Sequence, residues 1–351
     1  MITGRSGRSA VVLGNALSSR ENALNFVRLL LASSVIVAHA TPIMGVSDPS
    51  GHILTELGNW AVNGFFVASG YLITGSRLRL RWGAYLWRRF LRIFPAYWVA
   101  LILVAFVLAP LVAAMTSESL IFRSALGFPV RNAFLWQAQD EVANTLTNLP
   151  IAHVWLGTAW TLFYEFAAYL VLGALLSSKF VRENGVKVMA ALSSILVLFT
   201  IILQASPGAS SSVTENFVRL GAFFFAGSLM FFLKDRIRIT AVRILMALLL
   251  IVLLWTFVGW ERAGWFAHLP LAYVVLGLGA ILPWRLGSKN DISYGIYLYG
   301  WPAQQLIVLA FAATTGVTGH VVLALLAAIA MACASWFVLE KPALKLVRLV
   351  G

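Results

Sequence analysis

The sequence predicts an all-α, polytopic membrane bundle, and three observations carry that prediction. First, 60% of its 351 residues are hydrophobic and only 11% are charged. A soluble domain carries about 25% charged residues. Second, ten apolar segments recur near 25–44, 57–76, 95–115, 152–176, 187–204, 216–233, 241–259, 264–284, 292–313 and 319–339. Each approaches the ~20 residues that a helix needs to cross a hydrocarbon core. Third, Lys and Arg alternate by connection. Twenty-one fall in the tails and the even-numbered connections, whereas only Arg123, Arg131 and Arg262 fall on the opposite side. Basic loops stay in the cytoplasm, so both termini are expected there.

Composition also excludes classes. The net charge of +13 is spread over alternate loops rather than gathered on one soluble module. The expected partner is the lipid bilayer, and nucleic acid is not expected. The single cysteine, Cys333, rules out an intramolecular disulfide and makes a Cys-based metal site implausible. Residues 1–23 hold Arg5, Arg8 and Arg20 but no compact apolar core before a cleavage site. They read as a disordered cytoplasmic tail before an uncleaved first span. A membrane domain over 24–342 and a cytoplasmic C-terminal tail over 343–351 complete the expected organisation, with no soluble domain appended. No internal repeat of the transporter kind is visible.

The first span carries Arg28 and His39, eleven residues apart. Eleven steps make about three helical turns, so both share one face, roughly 16 Å apart along the axis. Intramembrane charge usually faces a bundle interior or a wet cavity. A snorkelling arginine and a histidine bonded to a neighbouring helix remain the plainer reading. The second span, GNWAVNGFFVASGYLITG, sets Gly64 and Ala68 at the spacing of tight helix contacts and adds the polar Asn63 and Ser69. Packing face and substrate lining are both open there.

The second connection reads RLRLRWGAYLWRRFLRIFPAYW. Arg88, Arg89 and Arg92 cluster on a helix by i,i+3 and i,i+4 spacing. A guanidinium fork suits phosphate, and the surrounding Trp and Tyr suit an interfacial belt. A lipid-headgroup loop would look similar. Pro95 is expected to open the third span. The connection over 116–151 is the longest on the non-cytoplasmic side, and loops of that length are often functional.

Glu165 is a lone carboxylate in the fourth span. If that span begins near 152–155, Glu165 lies about mid-membrane and could meet His39. A carboxylate there would orient the imidazole and stabilise its protonated form; a merely structural carboxylate is the alternative. Tyr294 and Tyr297 sit at the cytoplasmic end of the ninth span, where Pro302 is expected to kink the helix. Arg219 in the sixth span would contact an acidic acceptor or snorkel.

Together these residues resemble the acyltransferase-3 family of membrane O-acyltransferases. The resemblance covers 24–342. It rests on Arg28-x10-His39, GNWAVNGFFVASGYLI, Arg89-x-x-Arg92 in RRFLRIFPAYW, Trp160-x-Leu162-x-x-Glu165, SYGIYLYGWP and Glu340-x-Pro342. Each motif is loose alone, and their order across ten spans is specific. The resemblance implies transfer of an acyl group, often acetyl, from cytoplasmic acyl-CoA to a hydroxyl of a surface or exported carbohydrate, such as a lipid-linked glycan. It implies a multi-pass protein of the bacterial cytoplasmic (inner) membrane.

Carried over, His39 is the catalytic residue, acting alone or with Glu165. Arg28 supports its helix or the donor, and Arg89 and Arg92 are functional arginines near the cytoplasmic donor entrance. Arg88, from the same helical cluster, is expected to join them in binding the donor. Asn63, Ser69, Trp160, Tyr294, Tyr297 and Arg219 are expected to line the substrate path. Acyl-CoA, acetyl-CoA foremost, enters as donor substrate, with no permanently bound cofactor and no metal. Many relatives have histidine in an SYxxYLxHxP-like stretch, where this chain has Gly300. Some carry an extra hydrolase-like domain outside the membrane, which is not expected here.

The expected chemistry is general-base catalysis by His39, typically contributing about 10²–10⁴-fold. An acyl-histidine route stays open, as does the oxyanion partner among Asn63, Ser69 and Arg28. Two readings compete from other classes: a proton-coupled secondary transporter with His39 and Glu165 as relay, and a non-enzymatic subunit of glycan export.

Overall fold

The computed structural model describes residues 11–19, 21–51, 53–205, 211–311 and 314–349. In chain order these form strand β1 (Val11–Val12), α1 (Leu13–Ser18), α2 (Leu24–Met44), α3 (Ile53–Arg79), α4 (Trp82–Leu103), α5 (Ala109–Thr116) and α6 (Phe122–Asn132). Next come α7 (Thr161–Leu175), α8 (Lys179–Glu183), α9 (Gly185–Ala205), α10 (Ser212–Phe232), strand β2 (Arg238–Ile239), α11 (Ala241–Val258) and α12 (Trp260–Phe266). The last are α13 (His268–Ile281), α14 (Ser293–Phe311), α15 (Val317–Ser335) and α16 (Lys341–Lys345). Among the described residues the only strands are β1 and β2, which pair antiparallel, Val11 opposite Ile239.

Each of the ten expected apolar segments carries a helix. Among the described residues, five helices are long and apolar enough to cross a membrane: Leu24–Met44, Trp82–Thr116, Gly185–Ala205, Ala241–Val258 and Val317–Leu349. Thr161–Leu175 and His268–Ile281 are shorter apolar helices. The chain is an all-α, multi-pass integral membrane protein. Helices dominate because backbone groups in lipid must be satisfied within the segment itself.

Three boundaries correct the sequence reading. Residues 11–18 form β1 and α1 instead of a disordered tail, because β2 supplies backbone partners and Leu13 is buried. Arg5, Arg8 and Arg20 lie outside the described residues. Pro95 does not open the third span. It lies inside a helix that begins at Trp82 and continues through a π-turn to Thr116. Fixation by distant partners, including Tyr85 Oη on Tyr169 O and Tyr97 Oη on Asn132 O, outweighs the lost proline N–H. The fourth span starts at Thr161, not near 152, because side chains from α14 hold the preceding backbone in a non-helical path.

The chain divides into two compact units. One comprises Met1–Arg28, Asn63–Arg79 and Val171–Lys289. Within it α3 and α10 touch backbone to backbone. A Cβ at Gly70 would lie 1.9 Å from Phe224 O, and one at Gly227 2.1 Å from Val67 O. Thr74 donates to Ser228 Oγ at 2.7 Å across this contact. Small residues let helices approach where lipid gives no hydrophobic drive. The second unit comprises Leu29–Val62, Leu80–Leu170 and Asn290–Gly351. Its α14 lies against α15 at Gly295 and Ala332, and against α2 at Gly300 and Ile36. Tyr85, Tyr97 and Trp155 are fully buried in it.

Candidate active site

Within the second unit, α2 presents His39. Its Nδ1 lies 2.7 Å from Val35 O, one turn earlier on the same helix. A carbonyl only accepts, so Nδ1 carries the proton and Nε2 of the neutral ring keeps its lone pair. Nε2 takes no hydrogen bond among the described residues. The ring stands edge-on to Trp301, 5.1 Å between centroids at 66°.

Trp301 is itself fixed. Its Nε1 donates to Val154 O at 3.0 Å. The backbone at Gly157 runs so close that a Cβ there would sit 2.4 Å from the indole. Ile43 and Val308 pack against it on its apolar side. Gly300 gives α14 the same closeness to α2, since a Cβ there would meet Ile36 at 2.8 Å. Gly300 therefore serves the helix contact beside His39.

Glu165 is not hydrogen-bonded to His39. Because α7 starts late, Glu165 stands one turn into it and accepts a hydrogen bond from Tyr169 Oη, its i+4 neighbour. Tyr169 also receives Tyr85 Oη on its carbonyl and lies under the Arg89 guanidinium, 5.9 Å from the ring centroid. Arg89 is within electrostatic reach of Glu165. Arg88 and Arg89 each keep a buried Nε with no hydrogen-bond partner among the described residues.

Arg92 departs from the expectation of a donor ligand. Its fork is filled by carboxylates: Nη2 to Asp291 Oδ2 at 2.7 Å and Nη1 to Glu340 Oε2 at 3.0 Å. Tyr294 and Trp336 flank it at 5.6 and 5.7 Å. Asp291 is steadied by Ser293 Oγ at 2.6 Å. This cluster ties α4 to the start of α14 and to the π-helical segment Trp336–Glu340 that follows α15. The spacing of Arg88, Arg89 and Arg92 was legible in the sequence. The two carboxylates, 199 and 248 residues away, were not.

The aromatic candidates are held by backbone. Tyr294 Oη donates to Ile93 O at 2.9 Å. Tyr297 Oη donates to Thr158 O at 2.8 Å and meets Thr161 Oγ1 at 2.6 Å, pinning the turn that opens α7. Trp160 stands edge-on to Tyr164 at 5.6 Å.

Four candidates belong to the first unit. Arg28 and Ser69 lie there on α2 and α3. Asn63 is fully buried, donating to Gly264 O at 2.9 Å with its Oδ1 unpaired among the described residues. Arg219 is buried, with Nη2 on Asn216 Oδ1 at 3.1 Å and Trp265 at 5.8 Å.

The acyltransferase domain matches residues 21–340. The chain belongs to the acyltransferase-3 family. Two relatives agree with this membership. An O-acetyl transferase of Shigella phage Sf6 is 25% identical over 301 residues, covering 82% of this chain and 86% of the relative. Nodulation protein 10 of Rhizobium leguminosarum bv. viciae is 27% identical over 364 residues, covering 94% and 95%. No solved structure matches. The chain is thus a membrane O-acyltransferase, and its family sets aside the transporter and export-subunit readings. In this acyltransferase, the residues that sequence reasoning missed are Trp301, Tyr169, Asp291 and Glu340 as partners. The i,i+4 spacing of Glu165 and Tyr169 was the one local signal among them.

Proposed function

We propose that this acyltransferase moves an acyl group, acetyl foremost, from acyl-CoA to a hydroxyl of an exported or surface carbohydrate, with His39 as general base. The observation that carries the proposal is the imidazole itself. Nδ1 is committed to Val35 O, and Nε2 is left as a fixed acceptor. Nε2 takes the proton of the sugar hydroxyl, and the oxygen attacks the thioester carbonyl. The tetrahedral intermediate collapses, the C–S bond breaks, and the departing thiolate takes the proton back from the imidazolium as CoA. The products are the acyl ester and free CoA.

Donor binding falls to Arg88 and Arg89, whose unpaired Nε atoms can give charge-assisted bonds to phosphate. Leaving such buried donors unmet costs about 1–3 kcal/mol each, which a bound phosphate would recover. Arg92 supports them as a clamp, while Tyr169 links Arg89 to Glu165. The membrane is the bacterial inner membrane, with both termini and the Arg77–Arg92 segment in the cytoplasm.

The decisive experiment follows acyl transfer from labelled acetyl-CoA to glycan by purified protein. Asn keeps a polar group near that size but accepts no proton at neutral pH. His39→Asn should insert and bind acyl-CoA while transfer falls by ~10²-fold or more. Near-normal turnover by that variant would eliminate the base assignment.

A further inference from the structure

We infer that α6 is a membrane-interface helix, seating phospholipid acyl chains on its apolar stripe and lipid phosphate on Arg123 and Arg131. The helix is too short to span, at 11 residues, and its faces divide three ways. Ala125, Phe128 and Asn132 are buried against the protein. Phe122, Leu126 and Val130, at i, i+4 and i+8, are 64%, 48% and 73% exposed, and Phe134 just beyond is 81% exposed. Arg123 and Arg131 occupy the sector next to this stripe, by the ~100° step of a helix.

Such a surface facing water would expose three large apolar side chains in one stripe, with Phe134 just beyond it. Facing a bilayer edge, the same three sectors meet protein, acyl chains and headgroups in turn. The arginines are available for this. Neither makes an ion pair or hydrogen bond among the described residues. Two acids of the flanking loops have other partners: Glu118 takes Thr116 and Thr147, and Glu141 takes His153. The helix is also anchored. Tyr97 Oη holds Asn132 O at 2.9 Å and Trp98 Nε1 holds Ala133 O at 2.8 Å, so α4 sets its depth. Trp136, half exposed beside Phe163, adds an aromatic of the kind enriched at interfaces.

The test uses the whole protein in nanodiscs of phosphatidylcholine and phosphatidylglycerol, in a Cys333→Ala background. Single cysteines replace Val130 or Arg131, adjacent residues on different sectors, and each carries a polarity-sensitive fluorophore. Lipids spin-labelled near the top of the acyl chain should quench the label at 130 strongly. Aqueous iodide should quench the label at 131 more than that at 130. Iodide quenching at both, without lipid quenching at 130, would overturn the inference in favour of a water-facing docking surface. Separately, Arg123→Gln with Arg131→Gln should reduce the motionally restricted fraction of spin-labelled phosphatidylglycerol. An unchanged fraction would overturn the phosphate assignment.

Discussion

Removing Arg92 takes from two carboxylates, Asp291 and Glu340, the latter only 2% exposed, the guanidinium that they share. Breaking a buried pair by deleting one partner costs about 3–5 kcal/mol. Arg92→Gln should therefore lose thermal stability in detergent on that scale, and Arg92→Lys less, since Lys keeps the charge but not the fork. Wild-type melting by Arg92→Gln would show that the cluster is not a clamp. Arg89→Gln should shift the balance, with weaker acyl-CoA binding by calorimetry and a smaller loss in melting than Arg92→Gln. It gives up the face of Tyr169 but, among the described residues, no ion pair like those of Arg92. Unchanged affinity would remove it from the donor site. At Trp301 the two functions separate. Trp301→Phe keeps a ring against His39 but loses the bond to Val154 O. It should lower kcat less than Trp301→Leu; equal losses would assign the effect to the indole N–H alone.

At the scale of elements, the contact between α3 and α10 depends on missing side chains. Gly70→Ala or Gly227→Ala places a methyl within about 2 Å of a facing carbonyl oxygen, which the helices can relieve only by separating. Both variants should express poorly or melt early. Gly83→Ala, in the first turn of α4 with nothing within 4 Å, should match or exceed wild type. Equal melting of all three would mean that the close approach contributes nothing. The sequence displays a small-residue face in the second span, centred on Gly64 and Ala68. The structure shows tight contact at Gly70, because which glycine meets a partner depends on how the neighbouring helix is rotated. The start of α7 was hidden for a similar reason. Residues 152–160 are apolar enough to continue a helix, but Trp301 and Gln305 take the carbonyls of Val154 and Ile151. Tyr297 takes that of Thr158.

At the scale of the molecule, the division of Lys and Arg predicts topology. In a Cys333→Ala background, Gly83→Cys should resist an impermeant thiol reagent in intact cells and react once the membrane is opened. Position 83 is exposed and has room for the new side chain. Efficient labelling of intact cells would invert the orientation.

What the sequence alone determined is what composition, span length and charge alternation encode: an all-α multi-pass chain, its helical segments, and through ordered motifs its family. These are properties of the chain read in one dimension. The tertiary structure decided which side chains are committed and which are free. Arg88, Arg89 and Arg92 look equivalent in the sequence. Only the fold fills the fork of Arg92 with Asp291 and Glu340 while leaving Nε of the other two unmet. His39 and Glu165 look like partners by their expected depth. The fold gives one to Val35 and Trp301 and the other to Tyr169. Such pairings depend on the rotation and axial register of helices distant in the chain. A local pattern of apolar and polar residues does not specify either quantity, because packing between helices chooses them together.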